Sequence, residues 1–216
     1  MKSIIMSGLV ASEPQLRYTA DNQTPICEFM LRLQNPKTSD SDVIKVVAWN
    51  NLAQELAETV HQATTVVVEG RLKTSVREVN EHKEKHISIT ASRVHCLPEV
   101  ELNLNQVSLI GRLGQDPDVR YFGSGNVVSN FSVAVRGSSN SDPDWFTVEL
   151  WGKTAEVAAD YTRKGGQVGI IGQVVIDHWK DRTSGDERST PVIKGSQISL
   201  ISSSSPTESS ESLDEF

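Results

Sequence analysis

The sequence has few cysteines and no long hydrophobic run. No apolar stretch approaches the ~20 residues that a membrane-spanning helix needs, so we expect no membrane partner. The only two cysteines, Cys27 and Cys96, are far apart in the chain and show no pairing pattern. Such cysteine usage is typical of a reducing compartment, and we expect a cytoplasmic, nucleoid-associated protein.

The residue patterns of an enzyme are also missing. The tripeptide GKT at 152–154 ends phosphate-binding loops, but Thr147 stands where such a loop requires its first glycine. No Ser-His-Asp or Cys-His set stands out, and His82, His86 and His95 lack the paired spacing of a zinc site. We therefore predict a protein that is not an enzyme and needs no cofactor or metal.

The charge distribution is uneven. The net charge of −7 argues, taken alone, against a nucleic-acid partner. However, residues 1–100 carry 11 basic and 12 acidic side chains, and residues 101–202 carry 10 and 12. Four acids and no base lie in residues 203–216. The part expected to fold is close to neutral, so a basic groove for a polyanion remains compatible with it.

The chain contains two copies of one pattern, about 102 residues apart. Four blocks match in the same order, beginning with SGLVASEPQLRY at 7–18 and IGRLGQDPDVRY at 110–121. The later blocks align Phe29 with Phe131, Trp49 with Trp151, and Gly70 with Gly172. This period is too long for a solenoid, so each copy is expected to fold around its own core.

The residue pattern of each copy predicts five strands, with one helix after the third strand. The predicted strands are 3–10, 25–34, 42–50, 65–77 and 85–97, then 106–113, 126–137, 144–151, 167–180 and 190–201. The predicted helices are 51–61 and 154–164, the second with Thr154 as N-cap and Gly165-Gly166 at its end. This is the order of the OB-fold barrel. We predict an all-β protein with OB-fold domains at 1–100 and 101–202 and a disordered acidic tail at 203–216.

The third strand of the second copy carries aromatic residues on its polar face. Side chains alternate between the two faces of a strand, so Trp145, Thr147, Glu149 and Trp151 share the outer one. Exposed indole rings can stack on the bases of a single nucleic-acid strand. Packing under a loop or a partner subunit is the alternative explanation for these rings.

The first copy has fewer aromatic residues. Residues 1–100 contain three, against eight in residues 101–202. Its outward set is Val43, Lys45, Val47 and Trp49, and its hairpin lacks a counterpart of Trp179. We expect the second copy to bind nucleic acid and the first to serve mainly assembly.

The second copy resembles bacterial-type single-stranded DNA-binding proteins over nearly its whole length. The supporting stretches are NQVSLIGRLGQDPDVRY, NVVSNFSVAV, DWFTVELWGKTAEVAADYTRKGGQVGIIGQV and DHWKDRTSGDER. The resemblance implies that Trp145, Trp151 and Trp179 stack on bases, and the first copy resembles the family more faintly. The full set of predicted nucleic-acid-binding residues is Trp49, Arg120, Trp145, Trp151, Lys153, Arg163, Lys164, Trp179, Lys180 and Arg182.

The resemblance also implies partners. The acidic C-terminus of the family ends in Phe and recruits replication and repair proteins, a role that Leu213, Asp214, Glu215 and Phe216 would fill here. Family members bring four barrels together, which two copies of this chain would supply as a homodimer. We predict a protein that coats and protects single-stranded DNA. A primosome-like assembly module and a single-stranded RNA binder remain the alternatives.

Overall fold

The computed structural model describes residues 1–33, 42–79, 82–97, 102–123, 125–137, 142–181 and 185–202. The first half contains β1 (Lys2–Val10), β2 (Gln15–Tyr18), β3 (Pro25–Arg32), β4 (Val43–Trp49), α1 (Asn50–Thr59), β5 (Thr65–Val79) and β6 (His82–Cys96). The second half contains β7 (Asn105–Leu113), β8 (Asp118–Tyr121), β9 (Val127–Val135), β10 (Asp144–Trp151), α2 (Lys153–Tyr161), β11 (Gln167–Lys180) and β12 (Glu187–Ser202). The ten predicted strands and both predicted helices are present, while the predicted tail at 203–216 lies outside the described residues.

Each half closes into a five-stranded barrel. In the first, β1 pairs with β3, β3 with β4, β4 in parallel with β6, β6 with β5, and β5 with β1. In the second, the same circuit runs β7, β9, β10, β12, β11 and back to β7. This connectivity confirms the prediction of two tandem OB folds.

The barrel cores follow from the alternating pattern of the strands. Apolar side chains on the inward face of each strand form the core together with one face of the helix in each half. The matched residues Phe29 and Phe131 are buried at equivalent positions, each 2% exposed. Leu56 of α1 and Ala158 of α2 are also buried, so each helix packs its apolar face onto its own barrel.

Two short strands were not predicted from the sequence. β2 pairs with β3, and β8 pairs with β9, so each adds a strand beside the barrel circuit. All four side chains of β2 are exposed. A strand with no buried face has no alternation of apolar and polar residues, and its pattern therefore gives no signal.

The ends of α2 differ from the prediction. The prediction that Thr154 is the N-cap is wrong: Gly152 holds that position, with a φ of 57°. Glycine adopts this left-handed backbone without steric cost, and the Thr154 hydroxyl instead donates to the carbonyl of Trp151 at 2.7 Å. The helix ends at Tyr161, before the predicted end at 164, because Thr162 has an extended backbone (φ −118°, ψ 148°). After it, Gly165 (φ 82°) donates its amide to the carbonyl of Leu113.

The two barrels join through their first strands. β1 and β7 pair antiparallel, with Ile4 opposite Val107, so that the strands of both halves form one twelve-stranded sheet. Antiparallel pairing of equivalent strands relates the two barrels by an approximate two-fold axis. Neither helix in the described part of the chain is long and apolar enough to cross a membrane.

Equivalent aspartates secure the junction on either side of this axis. Asp144, at the start of β10, forms a buried ion pair with Lys2 and accepts the amide of Thr74 at 2.8 Å. Asp42, which precedes β4, lies 2.7 Å from the His178 ring of the other barrel. Each barrel therefore holds the long hairpin of its neighbour through an aspartate at or just before the start of its third barrel strand.

We predict that Asp144→Asn strongly destabilises the protein. Asparagine can still accept the Thr74 amide, but it leaves the Lys2 ammonium buried without a counter-charge. Removing one partner of a buried pair costs about 3–5 kcal/mol. Urea unfolding followed by tryptophan fluorescence measures the loss.

Asp118→Asn is the matched control, because its pair with Arg120 is exposed. An exposed pair contributes at most about 1 kcal/mol. Equal unfolding midpoints for the two variants would contradict a structural role for the buried pair.

Candidate nucleic-acid interface

The outer face of β10 carries two half-exposed tryptophans. Side chains along this strand alternate between buried and accessible, with Phe146, Val148 and Leu150 in the core. Trp145 and Trp151 lie on the outer face with 42% and 48% of their surface exposed. The predicted alternation is confirmed. Six residues of strand separate the two rings by roughly 20 Å, so the rings are placed to contact different parts of an extended ligand.

Trp145 lies on Gly114, the residue that follows β7 of its own half. A methyl group added at Gly114 would overlap Cζ3 of the indole and would lie 2.7 Å from the Ser132 hydroxyl. The amide of Trp145 donates to Thr74 Oγ1 of the other barrel at 3.2 Å. Gly114 therefore provides the space for this ring, a role that sequence spacing did not reveal.

A second aromatic ring extends the surface around Trp151. Phe122, which is exposed and follows β8, stacks on Trp151 with ring centroids 6.1 Å apart and planes within 9°. The Trp151 indole N–H donates to Glu149 Oε1 at 2.7 Å, which fixes the orientation of the ring. Phe122 was not predicted, because β8 itself was not, although the exposed pair Tyr121-Phe122 is a signal that could have pointed to it.

The hairpin of β11 and β12 carries the third tryptophan. Trp179 pairs with Arg188 across the hairpin and is 46% exposed. Lys180 beside it is exposed, whereas Arg188 forms an ion pair with Asp181 at 3.0 Å. Arg182, the remaining predicted cation of this hairpin, lies outside the described residues.

The other predicted cations of the second barrel differ in whether they bind to other groups of the chain. Lys153, Lys164 and Lys180 are exposed and form no ion pair with the described part of the chain. Arg120 pairs with Asp118 at 3.2 Å. Arg163 donates from Nη1 to the carbonyls of Ala159 and Thr162 at the end of α2.

An ion-pair network lies on the outer face of β10, β12 and β11. Lys194 lies 3.0 Å from Asp177 and 3.6 Å from Glu149. Burial lowers the pKa of Lys194, but the bonds and charges of the two carboxylates outweigh it and hold the pKa above its ordinary value. Lys194 is therefore charged, and the two carboxylates of the chain neutralise its charge.

The equivalent face of the first barrel has one indole. Trp49 is 43% exposed, and Val43 occupies the position of Trp145. Glu28 binds both Arg17 and Lys45, each at 2.8 Å. Burial raises the pKa of Glu28, but these two cations outweigh it and keep the pKa below its ordinary value. Two cations of this face are thus neutralised by the chain itself.

The hairpin of the first barrel reaches the aromatic face of the second. Lys85 on β6 donates to the Thr147 hydroxyl, between Trp145 and Trp151, at 3.3 Å. Burial lowers the pKa of Lys85, with no compensating carboxylate. The face is therefore built from both halves of the chain, which the sequence alone did not reveal.

Metal-binding groups do not gather in the described structure. Among those residues, no three His, Cys, Asp or Glu side chains come close enough to hold a metal ion. His86 and His95 lie beside the single carboxylates Glu84 and Glu69. The chemistry of this surface is that of aromatic rings and cations.

The fold and this surface define a tandem OB-fold protein with an exposed aromatic face on its second barrel. The model of the single-strand binding protein family matches residues 1–97 and, a second time, residues 104–201. The chain belongs to the single-strand binding protein family.

Sequence relatives agree with this membership, and a solved structure shares the fold. Single-stranded DNA-binding protein 1 of Synechocystis sp. is 51% identical over 105 residues, covering 47% of this chain and 87% of the relative. Single-stranded DNA-binding protein 1 of Nostoc sp. is 52% identical over 103 residues, with the same coverage. The fold is similar to the crystal structure of the wild-type single-stranded DNA binding protein from Thermus aquaticus, with a TM-score of 0.74, 24% identity and 95% of each chain covered.

We predict that Gly114→Ala displaces Trp145 and destabilises the second barrel. The added methyl group overlaps the indole, and overpacking of this kind costs about 1–3 kcal/mol. The melting temperature should fall in the native background and fall less in a Trp145→Ala background, where only the close contact with the Ser132 hydroxyl remains. This double-mutant comparison isolates the contact.

Gly169→Ala on β11 is the control. A methyl group there meets Ser199 at an ordinary contact distance of 3.6 Å. If Gly114→Ala lowers the melting temperature equally with and without Trp145, the glycine does not act through the indole.

Proposed function

We propose that this chain binds, coats and protects single-stranded DNA during replication, recombination and repair. The observation that carries the proposal is the outer face of β10, where Trp145 and Trp151 present exposed rings and Lys85 lies between them. Base stacking on such rings is worth about 1–3 kcal/mol per base and tolerates any sequence. The relatives named as single-stranded DNA-binding proteins support the same conclusion.

The domain organisation that we propose assigns residues 1–100 and 101–202 to the two OB folds and 203–216 to a disordered tail. In this organisation the second domain supplies the stacking rings, and the tail ending in Leu213, Asp214, Glu215 and Phe216 recruits replication and repair proteins. A terminal carboxylate with an aromatic ring suits a basic, apolar pocket on a partner. We propose a binding protein without catalytic activity that acts in the cytoplasm.

We also propose that two chains associate into a homodimer of four barrels. The strands β6, β5, β1, β7, β11 and β12 are adjacent in one sheet that spans both halves. Three isoleucines on the outer side of this sheet, Ile5, Ile110 and Ile171, are only partly buried within one chain. A second copy could cover them, and light scattering at micromolar concentration should give twice the chain mass.

Single-stranded DNA should quench the tryptophan fluorescence, whereas duplex DNA should not. The bases of a duplex are stacked inside and are not available to the rings of Trp145, Trp151 and Trp179. The affinity should fall with salt, with a logarithmic slope of about −0.7 per phosphate neutralised. Parallel titrations with single-stranded DNA, single-stranded RNA and duplex measure this.

Each outcome of the titrations has a meaning. Tighter binding of RNA than of DNA would favour an RNA-binding function. The absence of quenching by any nucleic acid would reject the proposal and favour an assembly module whose rings are buried by a partner.

Within this proposed function, the second barrel should supply most of the affinity. Trp145→Ala, Trp151→Ala and Trp179→Ala should each weaken binding by about 1–3 kcal/mol, the value of one stacked base. Trp49→Ala should weaken it less, because Trp49 is the one indole of its barrel face and the cations Arg17 and Lys45 of that face are bound to Glu28. Fluorescence anisotropy with a labelled oligonucleotide measures the four affinities.

Trp49→Ala is the matched control for the three substitutions in the second barrel, since the exposed fraction of Trp49 is nearly that of Trp145. Each variant must keep the mass of the wild-type assembly, so that a loss of folding is not mistaken for a loss of binding. Equal losses for Trp49→Ala and Trp151→Ala would mean that both barrels bind and would contradict the division.

A further inference from the structure

A basic cleft lies where the two barrels meet. Its walls include Arg71 and Lys73 of β5, Thr90 of β6, Lys2 of β1 and Arg136, which follows β9. The cleft has a volume of about 300 Å³, and both halves of the chain contribute to it. It is separate from the tryptophan surface described above, although the two are neighbours.

The charge of this cleft is uncompensated. Lys2 is neutralised by Asp144, but Arg71, Lys73 and Arg136 form no ion pair with any residue that the structure describes. The lining contains no carboxylate. Three cations around one concave surface raise the local concentration of anions. By contrast, the cations Arg17, Lys45 and Lys194 of the barrel faces each have a carboxylate partner.

The fold does not require these charges. In the repeat alignment Gly70 matches Gly172, so the second barrel has Gln173 in place of Arg71 and Val175 in place of Lys73. The same barrel geometry therefore forms with neutral side chains on the other side of the two-fold axis. The cations are a feature of one side of the molecule, which points to a ligand rather than to folding.

The cleft adjoins the aromatic face of the second barrel. Lys73 precedes Thr74, whose hydroxyl accepts the amide of Trp145. Arg136 follows the β9 segment in which Ala134 pairs with Trp145. A strand that leaves the Trp145 ring toward the first barrel therefore meets the cations of this cleft, Arg136 and the two of β5.

We propose that this cleft binds the phosphodiester backbone of a single strand as it crosses from the second barrel to the first. The inference rests on the proposed function and adds the path that the bound strand takes between the barrels. The rings of the second barrel hold bases, and the cleft holds the backbone phosphates that follow. A cation without a partner in the chain gains a counter-charge when a phosphate arrives, and condensed counterions are released from the nucleic acid.

The test uses the full chain and two oligothymidylates. One has about 8 nucleotides, within the 4–16 that one OB fold accommodates, and the other has about 35 and can reach both barrels. The double variant Lys73→Gln/Arg136→Gln removes one cation from each side of the cleft. Arg93→Gln/Arg112→Gln is the control with the same change in charge, since these arginines are engaged by Glu69 and by the Gly165 carbonyl.

For the long oligonucleotide, the cleft variant should lower the salt slope by about 1.4, corresponding to two phosphates at about 0.7 each. This amounts to an affinity loss on the order of twentyfold at 0.1 M salt that disappears near 1 M. Binding of the short oligonucleotide should change less than twofold. The control variant should bind both oligonucleotides as the wild type does.

The other outcomes overturn the proposal. Equal losses for the two lengths would mean that the cations act through the general field of the protein and that no crossing strand occupies the cleft. Unchanged binding of both lengths would exclude the cleft from the path. A further outcome is that tripolyphosphate stabilises the wild type and not the cleft variant, while oligonucleotide binding is the same for both. That result would assign the cleft to a small phosphate anion. If the wild type binds neither oligonucleotide, the proposed function itself fails.

Discussion

The antiparallel pairing of β1 with β7 is the contact on which the rest of the structure depends. Backbone amides and carbonyls on a strand edge must find partners, and each barrel satisfies this requirement with the first strand of the other. The register of that pairing determines where each long hairpin lies. It brings Thr74 to Asp144 and Lys85 to Thr147 on one side, and His178 to Asp42 on the other. The composite surface is therefore a consequence of how two strands pair far from it.

The two barrels have equivalent backbones but different side chains on their surfaces. Equivalent positions of the two barrels hold the same backbone, yet their side chains differ at several exposed positions. The contrasting pairs are Val43 and Trp145, Glu28 and Asn130, Arg71 and Gln173, and Lys73 and Val175. Some core positions, such as Phe29 and Phe131, hold the same residue in both barrels. The differences at exposed positions are the physical basis for assigning different tasks to the two barrels.

Features with a local cause could be predicted from the sequence, and features produced by distant contacts could not. The barrel strands and their outward faces follow from a period of two, which places Trp145 and Trp151 together on one face. The chain after α2 is held by a bond from the Gly165 amide to the Leu113 carbonyl, and the position of Trp145 depends on Gly114. Neither dependence leaves a pattern in neighbouring residues. Lys85 reaches Thr147 only because β1 pairs with β7. A sequence analysis that treats each copy separately cannot predict this contact.

The junction and the aromatic face share one stretch of backbone, and this couples folding to the surface. Asp144 holds Lys2 and Thr74, while the next residue, Trp145, donates its amide to the same threonine. The strand that presents the rings is thus fixed at its first residue by the contact that holds the barrels together. A rigid start of β10 keeps the ring of Trp145 over Gly114 and so lowers the entropy that ordering the ring on a ligand would cost. Because the same aspartate neutralises Lys2 at the edge of the basic cleft, it leaves Arg71, Lys73 and Arg136 as the charges that face a ligand there.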